Sequence, residues 1–252
     1  MFRTCLILAA CLFAANVPAA NRIVLPEHPS ADQRKDIEHR LNDWPDLGRY
    51  AKDNAALAPP KPGEKRVVFM GDSITDFWGR SVGTFFPGRP YVNRGISGQT
   101  TPQMLIRFRA DVIALKPAVV VILAGTNDIA GNTGPETLAA IEDNLASMTD
   151  LARAHGIRVA IASLMPVNDD VVKDQTVQRP PETIRALNAW IKAYAAREHL
   201  VFVDYYTAMV DERGQLKKEL SDDGLHPNAA GYEVMSPLAQ SAIDKAFGGD
   251  PR

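Results

Sequence analysis

Val67-Val68-Phe69-Met70-Gly71-Asp72-Ser73-Ile74-Thr75 is an apolar run that passes straight into a turn whose third residue is a serine. Four bulky apolar residues in succession suit a buried strand, and Gly-Asp-Ser interrupts the run where such a strand would end. Near the other end of the chain, Ser221-Asp222-Asp223-Gly224-Leu225-His226-Pro227 sets a carboxylate three residues before a histidine. A serine, a histidine and an aspartate are the parts of nucleophilic acyl transfer.

Outward from that first run, short apolar segments alternate with longer helical patterns from Glu64 onward, the rhythm of βαβ units around a parallel sheet. The pattern predicts strands over 66–70, 90–93, 118–124, 157–163 and 200–204. Helices are expected over 101–115, 135–155, 183–199 and 228–247. His155-Gly156 reads as a helix stop, with the glycine left-handed and the imidazole near the negative end of the dipole. His199 suits the same role at the end of the next helix. The stretch 165–182 is long and irregular, and reads either as a functional loop or as a plain surface excursion.

Between Ala31 and Ala58 the pattern is helical in two pieces, because Pro45 cannot sit inside a helix and suits the first turn of the second piece. Ile37, Leu41, Leu47, Tyr50 and Leu57 recur at roughly helical spacing, which predicts an amphipathic pair packed on the main domain. Ala58-Pro59-Pro60-Lys61-Pro62-Gly63 then breaks any helix. The first twenty residues read as a secretory signal: Arg3 is their only charge, an apolar run extends from Cys5 to Ala15, and Val17-Pro18-Ala19-Ala20 offers cleavage after Ala19 or Ala20. That run is too short to span a membrane, which takes about 20 apolar residues. A lipoprotein-type site at Cys11 is the less favoured reading, because the apolar run before it is very short. The expected organisation is a signal peptide over 1–20, a helical extension and linker over 21–63, and a catalytic domain over 64–252. A secreted or periplasmic location follows, in a mature chain without cysteine.

The chain has 252 residues, 46% hydrophobic and 23% charged, with a formal net charge of −2. Such a chain can bury one substantial core. The charge gives no electrostatic reason to expect nucleic acid or an anionic membrane surface as partner. A Gly-x-Ser-x-Gly elbow, a Walker loop, a dinucleotide fingerprint and zinc-ligand spacing are all missing, so neither cofactor nor metal is expected.

Ligands of open α/β sheets bind at the carboxyl ends of the strands, and four blocks fall there. They are Gly71-Asp72-Ser73, Gly95-Ile96-Ser97-Gly98-Gln99-Thr100, Ala124-Gly125-Thr126-Asn127-Asp128, and the segment holding Asp223 and His226. His226 is the strongest candidate base among the five histidines, and Pro227 favours an extended backbone at it. Asp223 can reach its Nδ1 and fix the tautomer; Asp222 competes for that role. Gly98 offers an unobstructed backbone N–H and Asn127 a side-chain amide to a developing oxyanion, with the N–H of Ser73 as a third donor. Asn127 alone would read as a turn residue and Ser73 as a helix N-cap. Asp72, Asp128 and Asp204 read as scaffold carboxylates.

These blocks, in this order, resemble the SGNH hydrolases, also called GDSL-type esterases and lipases, over about Glu64 to Phe247; Ile74 stands where the family name has leucine. The resemblance implies a three-layer α/β/α sandwich on a flavodoxin-like five-stranded parallel sheet. It also implies Ser73 as nucleophile, His226 and Asp223 as base and orienter, and Gly98 and Asn127 as oxyanion donors. The text around Trp78 and Gly95–Thr100 is most similar to bacterial relatives of the platelet-activating-factor acetylhydrolase catalytic subunits. The expected activity is hydrolysis of short-chain esters, acetyl above all, on a small-molecule, glycan or lipid alcohol. An acyltransferase, a long-chain lipase and a catalytically dead glycan-binding module are the alternatives.

Overall fold

The computed structural model describes residues 25–248, so the expected signal segment lies outside the described residues. Five parallel strands form one sheet in the order β2-β1-β3-β4-β5: β1 Val67–Gly71, β2 Tyr91–Gly95, β3 Val119–Leu123, β4 Arg158–Ala162 and β5 Val201–Val203. Every residue of β1 and β3 is buried. Helices cover both faces of such a sheet, which is why these strands read as continuous apolar runs rather than alternating ones.

The longer helices are α4 Thr101–Asp111, α6 Leu138–Ala154, α8 Pro181–Arg197 and α10 Ala229–Gly248. α6 packs against α4 and α8, while α10 packs against β3, β4 and β5. The β1-to-β2 connection joins α10: Trp78 stacks on Tyr232 at 5.1 Å between ring centroids and meets Phe69 of β1 edge-on at 5.8 Å. The architecture is thus the expected α/β sandwich with its five-stranded parallel sheet. No helix among the described residues is long and apolar enough to cross a membrane.

Two expected boundaries shift for physical reasons, and four short helices are added. α4 begins on a capping box between Thr100 and Gln103 and ends at Asp111, with a separate 3₁₀ turn over Ile113–Leu115. β2 runs two residues further than expected because Arg94 is covered: its Nε donates to Asn54 Oδ1 at 2.9 Å and its guanidinium lies 4.6 Å from the Tyr50 ring centre. Short helices α3 Ser73–Asp76, α5 Thr126–Ile129, α7 Gln175–Gln178 and α9 Tyr205–Met209 carry no periodicity of their own and were not expected.

The N-terminal pair corrects the sequence reading. α1 Ala31–Asn42 buries none of its residues and leaves Leu41 exposed. α2 Ala51–Ala56 starts six residues after Pro45, which sits in the intervening turns rather than in its first turn. Leu57 packs partly buried on the core, and polar contacts with one aromatic side chain complete the docking: Tyr50 is fully buried, donates to the carbonyl of Gly95 and accepts from Arg80 Nη2 at 2.8 Å. Asn54 joins Arg94 to Asp111.

Strand order reverses around β1, which has β2 on one side and β3 on the other. The loops leaving β1 and β3 diverge at such a switch point and open a crevice at the carboxyl edge of the sheet. Ser73 follows β1 and Asn127 follows β3.

Candidate active site

Ser73 is the first residue of α3, and the turn that presents it needs glycine on two neighbouring strands. A Cβ on Gly71 would lie 2.1 Å from Thr75 Oγ1, and one on Gly95 would lie 2.1 Å from the Asp76 nitrogen. Both glycines therefore let the serine turn settle onto the strand ends. The N-cap is Asp72 rather than Ser73: Asp72 Oδ1 accepts from the Ile74 amide at 2.9 Å. The serine hydroxyl is left for another partner.

That partner is His226. Its Nε2 lies 2.9 Å from Ser73 Oγ, and its Nδ1 lies 2.6 Å from Asp223 Oδ2. Asp223 Oδ1 also accepts from the amides of Leu225 and His226 at 2.9 and 2.8 Å. Partial burial pushes the Asp223 carboxyl upward, but the hydrogen bonds from the His226 ring and these amides outweigh it and hold it below the usual range. Asp223 is therefore a carboxylate at neutral pH. Asp222, the competing orienter, instead accepts from Asn228 Nδ2 at 3.0 Å. Gly224 turns the loop with φ +82°, and a Cβ there would come within 2.2 Å of the Asn168 carbonyl oxygen. Phe77 packs on the imidazole, 5.0 Å between ring centroids.

Gly98 has φ +79°, and its carbonyl accepts from Asn132 Nδ2 at 3.1 Å. Among the described residues no protein acceptor takes its N–H. Asn127 Nδ2 donates to the Gln99 carbonyl at 3.0 Å, joining the loops after β2 and β3. A hydroxyl that shares its proton with an imidazole, itself steadied by a carboxylate, can attack a carbonyl as it loses that proton.

Two residues here escaped the sequence reading. Arg179 closes α7, is buried, and donates from Nη2 to Asn127 Oδ1 at 3.3 Å and from Nη1 to Gln175 Oε1 at 3.0 Å. The irregular stretch 165–182 thus delivers a guanidinium to the site; an arginine next to Pro180-Pro181 was its only signal. Gln99 donates through Nε2 to the Pro45 carbonyl at 2.7 Å and accepts from Arg107 Nε, which ties the Gly98 loop to both the N-terminal turns and α4.

Behind the serine lie two buried carboxyls, Asp128 and Asp72. Asp128 Oδ1 accepts from the amide and hydroxyl of Thr101, holding the start of α4. Asp204, half-buried at the end of β5, caps α9 through Thr207, so Asp128 and Asp204 both serve as scaffold groups. Asp72 is fully buried, and its Oδ2 has no hydrogen-bond partner among the described residues. Burial, with the Asp128 carboxyl adding to it, pushes Asp72 up to about 7 against the pull of the Ile74 amide and Arg179; burial pushes Asp128 up to about 6.

Folded Asp72 keeps its proton to about pH 7, whereas the unfolded side chain releases it near 3.8. Between those values the folded state binds more protons, so rising pH lowers stability, with a slope of up to about 1.4 kcal/mol per pH unit. Asp72→Asn keeps an oxygen for the Ile74 amide and has no proton to lose. Its melting temperature relative to wild type is expected to rise between pH 5 and pH 8. A difference that stays constant across that interval would show that Asp72 does not titrate there.

A sequence profile of the GDSL-like lipase/acylhydrolase family matches residues 69–234, the span from β1 into α10 that holds all four blocks. The chain belongs to that family. It is 46% identical to a GDSL-like lipase of Bacteroides thetaiotaomicron whose crystal structure superposes with a TM-score of 0.75, covering 81% of this chain and 99% of that one. It is 34% identical over 140 residues to esterase TesA of Pseudomonas aeruginosa, covering 55% of this chain and 62% of TesA. It is also 26% identical over 240 residues to an acetylxylan esterase of Xylanibacter ruminicola, covering 79% of this chain and 46% of that protein. The chain thus spans less than two thirds of the length of these two curated relatives.

Proposed function

We propose that the protein hydrolyses carboxylic esters, with short acyl groups and acetyl above all preferred, through an acyl-enzyme on Ser73. The observation that carries this reading is the unbroken line from Asp223 Oδ2 through His226 to Ser73 Oγ, 2.6 and 2.9 Å long at its two hydrogen bonds.

As Ser73 Oγ attacks the ester carbonyl, His226 Nε2 takes its proton and the adjoining Asp223 carboxylate stabilises the imidazolium. The carbonyl oxygen becomes an oxyanion, met by the N–H groups of Ser73 and Gly98 and by Asn127 Nδ2. Arg179 donates to Asn127 Oδ1 while the Gln99 carbonyl accepts one Nδ2 hydrogen, so the amide is oriented from both ends and its second Nδ2 hydrogen is left for the oxyanion. Collapse expels the alcohol, which leaves with the proton from Nε2. Water then attacks the acyl-serine, gives its proton to Nε2, and the acid departs as Oγ is reprotonated.

Short acyl groups are supported by the similarity to an acetylxylan esterase and by the acetylhydrolase-like text around Trp78 and Gly95–Thr100. The apolar run after Arg3 supports export of the chain, with cleavage after Ala19 or Ala20. A series of p-nitrophenyl esters from acetate to palmitate, with Ser73→Ala as blank, tests the acyl preference. kcat/KM is expected to be highest on acetate and to fall as the chain lengthens. A maximum on the long chains would replace this reading with a lipase.

A further inference from the structure

Beside the Gly98 loop lies a cavity of about 430 Å³ that uses residues outside the triad and the oxyanion donors for most of its wall. On one side it is lined by Asp36, His39, Arg40 and Trp44 of the N-terminal region, and on the other by Gly98 and Asn132. Its size lies within the range of small-molecule sites. Gly98 belongs both to this wall and to the oxyanion donors read above, so the cavity adjoins the loop that would hold the ester carbonyl.

The wall is built, not incidental. Asp43 fixes its turn by accepting the Leu47 and Gly48 amides, each at 2.8 Å, through its two carboxylate oxygens. Gln103 Nε2 donates to the Trp44 carbonyl at 2.6 Å and Gln99 Nε2 to the Pro45 carbonyl at 2.7 Å, so α4 and the Gly98 loop hold the turn from below. Arg40 Nε pairs with Asp36 at 2.9 Å and His39 Nε2 lies 3.5 Å from Asp46, which orders the polar groups along the rim.

The chemistry of this lining selects among alcohols. It offers carboxylate, imidazole, guanidinium and carboxamide groups around one indole, and Trp44 keeps 37% of its surface exposed even though its backbone is pinned. Ile96 is the only aliphatic side chain in it. A hydrocarbon chain would find few apolar contacts here beyond Trp44 and Ile96. A sugar ring suits the polar groups, since its hydroxyls both donate and accept while its C–H face packs on an aromatic side chain.

We propose that this cavity is the alcohol subsite of the enzyme and that it takes a carbohydrate, so that the natural substrate is an acetylated glycan and residues 36–46 determine specificity. The proposal rests on the esterase reading above. It also assigns the N-terminal region a role: Trp44 is a specificity residue brought to the site by the same turns that dock on Gln99 and Gln103.

The test compares kcat/KM for an acetylated xylo-oligosaccharide, peracetylated glucose and p-nitrophenyl acetate in wild type, Trp44→Ala and Arg40→Ala, with Ser73→Ala as blank. Circular dichroism checks that each variant is folded. Trp44→Ala is expected to lose about tenfold more on the two sugar esters than on the aryl ester, and Arg40→Ala to lose in the same direction by less. Free xylotetraose is expected to inhibit p-nitrophenyl acetate hydrolysis by wild type and to inhibit Trp44→Ala more weakly. Equal losses on all three esters, or no loss on any, would overturn the subsite while leaving the esterase intact. Absence of any Ser73-dependent turnover would overturn both readings.

Discussion

Ser73→Ala is expected to lower kcat on p-nitrophenyl acetate by about four to six orders of magnitude, with the melting temperature nearly unchanged. The substitution removes one oxygen and leaves the Asp72 cap on Ile74 and the whole β1–α3 turn in place. What it deletes is the one hydrogen-bond partner that His226 Nε2 has among the described residues, 2.9 Å away. Residual rate would come from substrate binding and the oxyanion donors alone, which in comparable hydrolases leave about 10³–10⁴ over water. If Ser73 and His226 act on one proton and one bond as proposed, their deletions do not add. Ser73→Ala with His226→Ala is therefore expected to be no slower than either single variant. Initial rates at saturating substrate measure this. A Ser73→Ala protein that keeps more than about a tenth of wild-type kcat would place the nucleophile elsewhere.

Arg107→Leu is expected to have the largest effect on stability, a loss of about 3–5 kcal/mol in urea unfolding. Arg107 and Asp111 are buried together, 3.0 Å apart, with neither side chain more than 2% exposed. The guanidinium also donates to the Arg94 carbonyl at 2.8 Å, to the Gly71 carbonyl at 3.0 Å and to Gln99 Oε1. Leucine would fill part of the volume but leave Asp111 as a buried carboxylate without its cation, and three acceptors without their donor. These acceptors sit at the ends of β1 and β2 and on the Gly98 loop, so activity is expected to fall along with stability. Restoring neutrality with Arg107→Leu and Asp111→Asn together is expected to recover part of the lost free energy. A single variant within 1 kcal/mol of wild type would show that the pair contributes little.

The parts of this molecule that were legible in its sequence are those where one physical constraint dominates. Val67–Met70 and Val119–Leu123 had to be buried parallel strands because nothing polar interrupts them, and the chemistry-bearing residues had to follow them at the sheet's carboxyl edge. Asp223 and His226 lie three residues apart in one turn, so their contact is local. Less legible were features that depend on contacts distant in sequence. Arg179 reaches Asn127 across 52 positions, and Gln99 meets Pro45 across 54. Neither has a periodic or spacing signal. The choice of Asp223 over Asp222 depended on which carboxylate the loop turns inward, settled by Gly224 against Asn168 and by Asn228 on Asp222. The N-terminal helices misled in part because their apolar spacing suggested one packed face, whereas Leu41 and Leu47 are exposed and the anchor is buried Tyr50, partly buried Leu57 and a set of amide and guanidinium hydrogen bonds.

Ser73 as the acyl-carrying nucleophile is tested most directly by trapping the intermediate. The protein is mixed with p-nitrophenyl acetate, quenched in acid within the first turnovers, digested and mapped by mass spectrometry. One acetyl group on the peptide containing Ser73 is expected, absent from Ser73→Ala. Turnover with no adduct at Ser73, or an acetyl group that persists in Ser73→Ala, would contradict it.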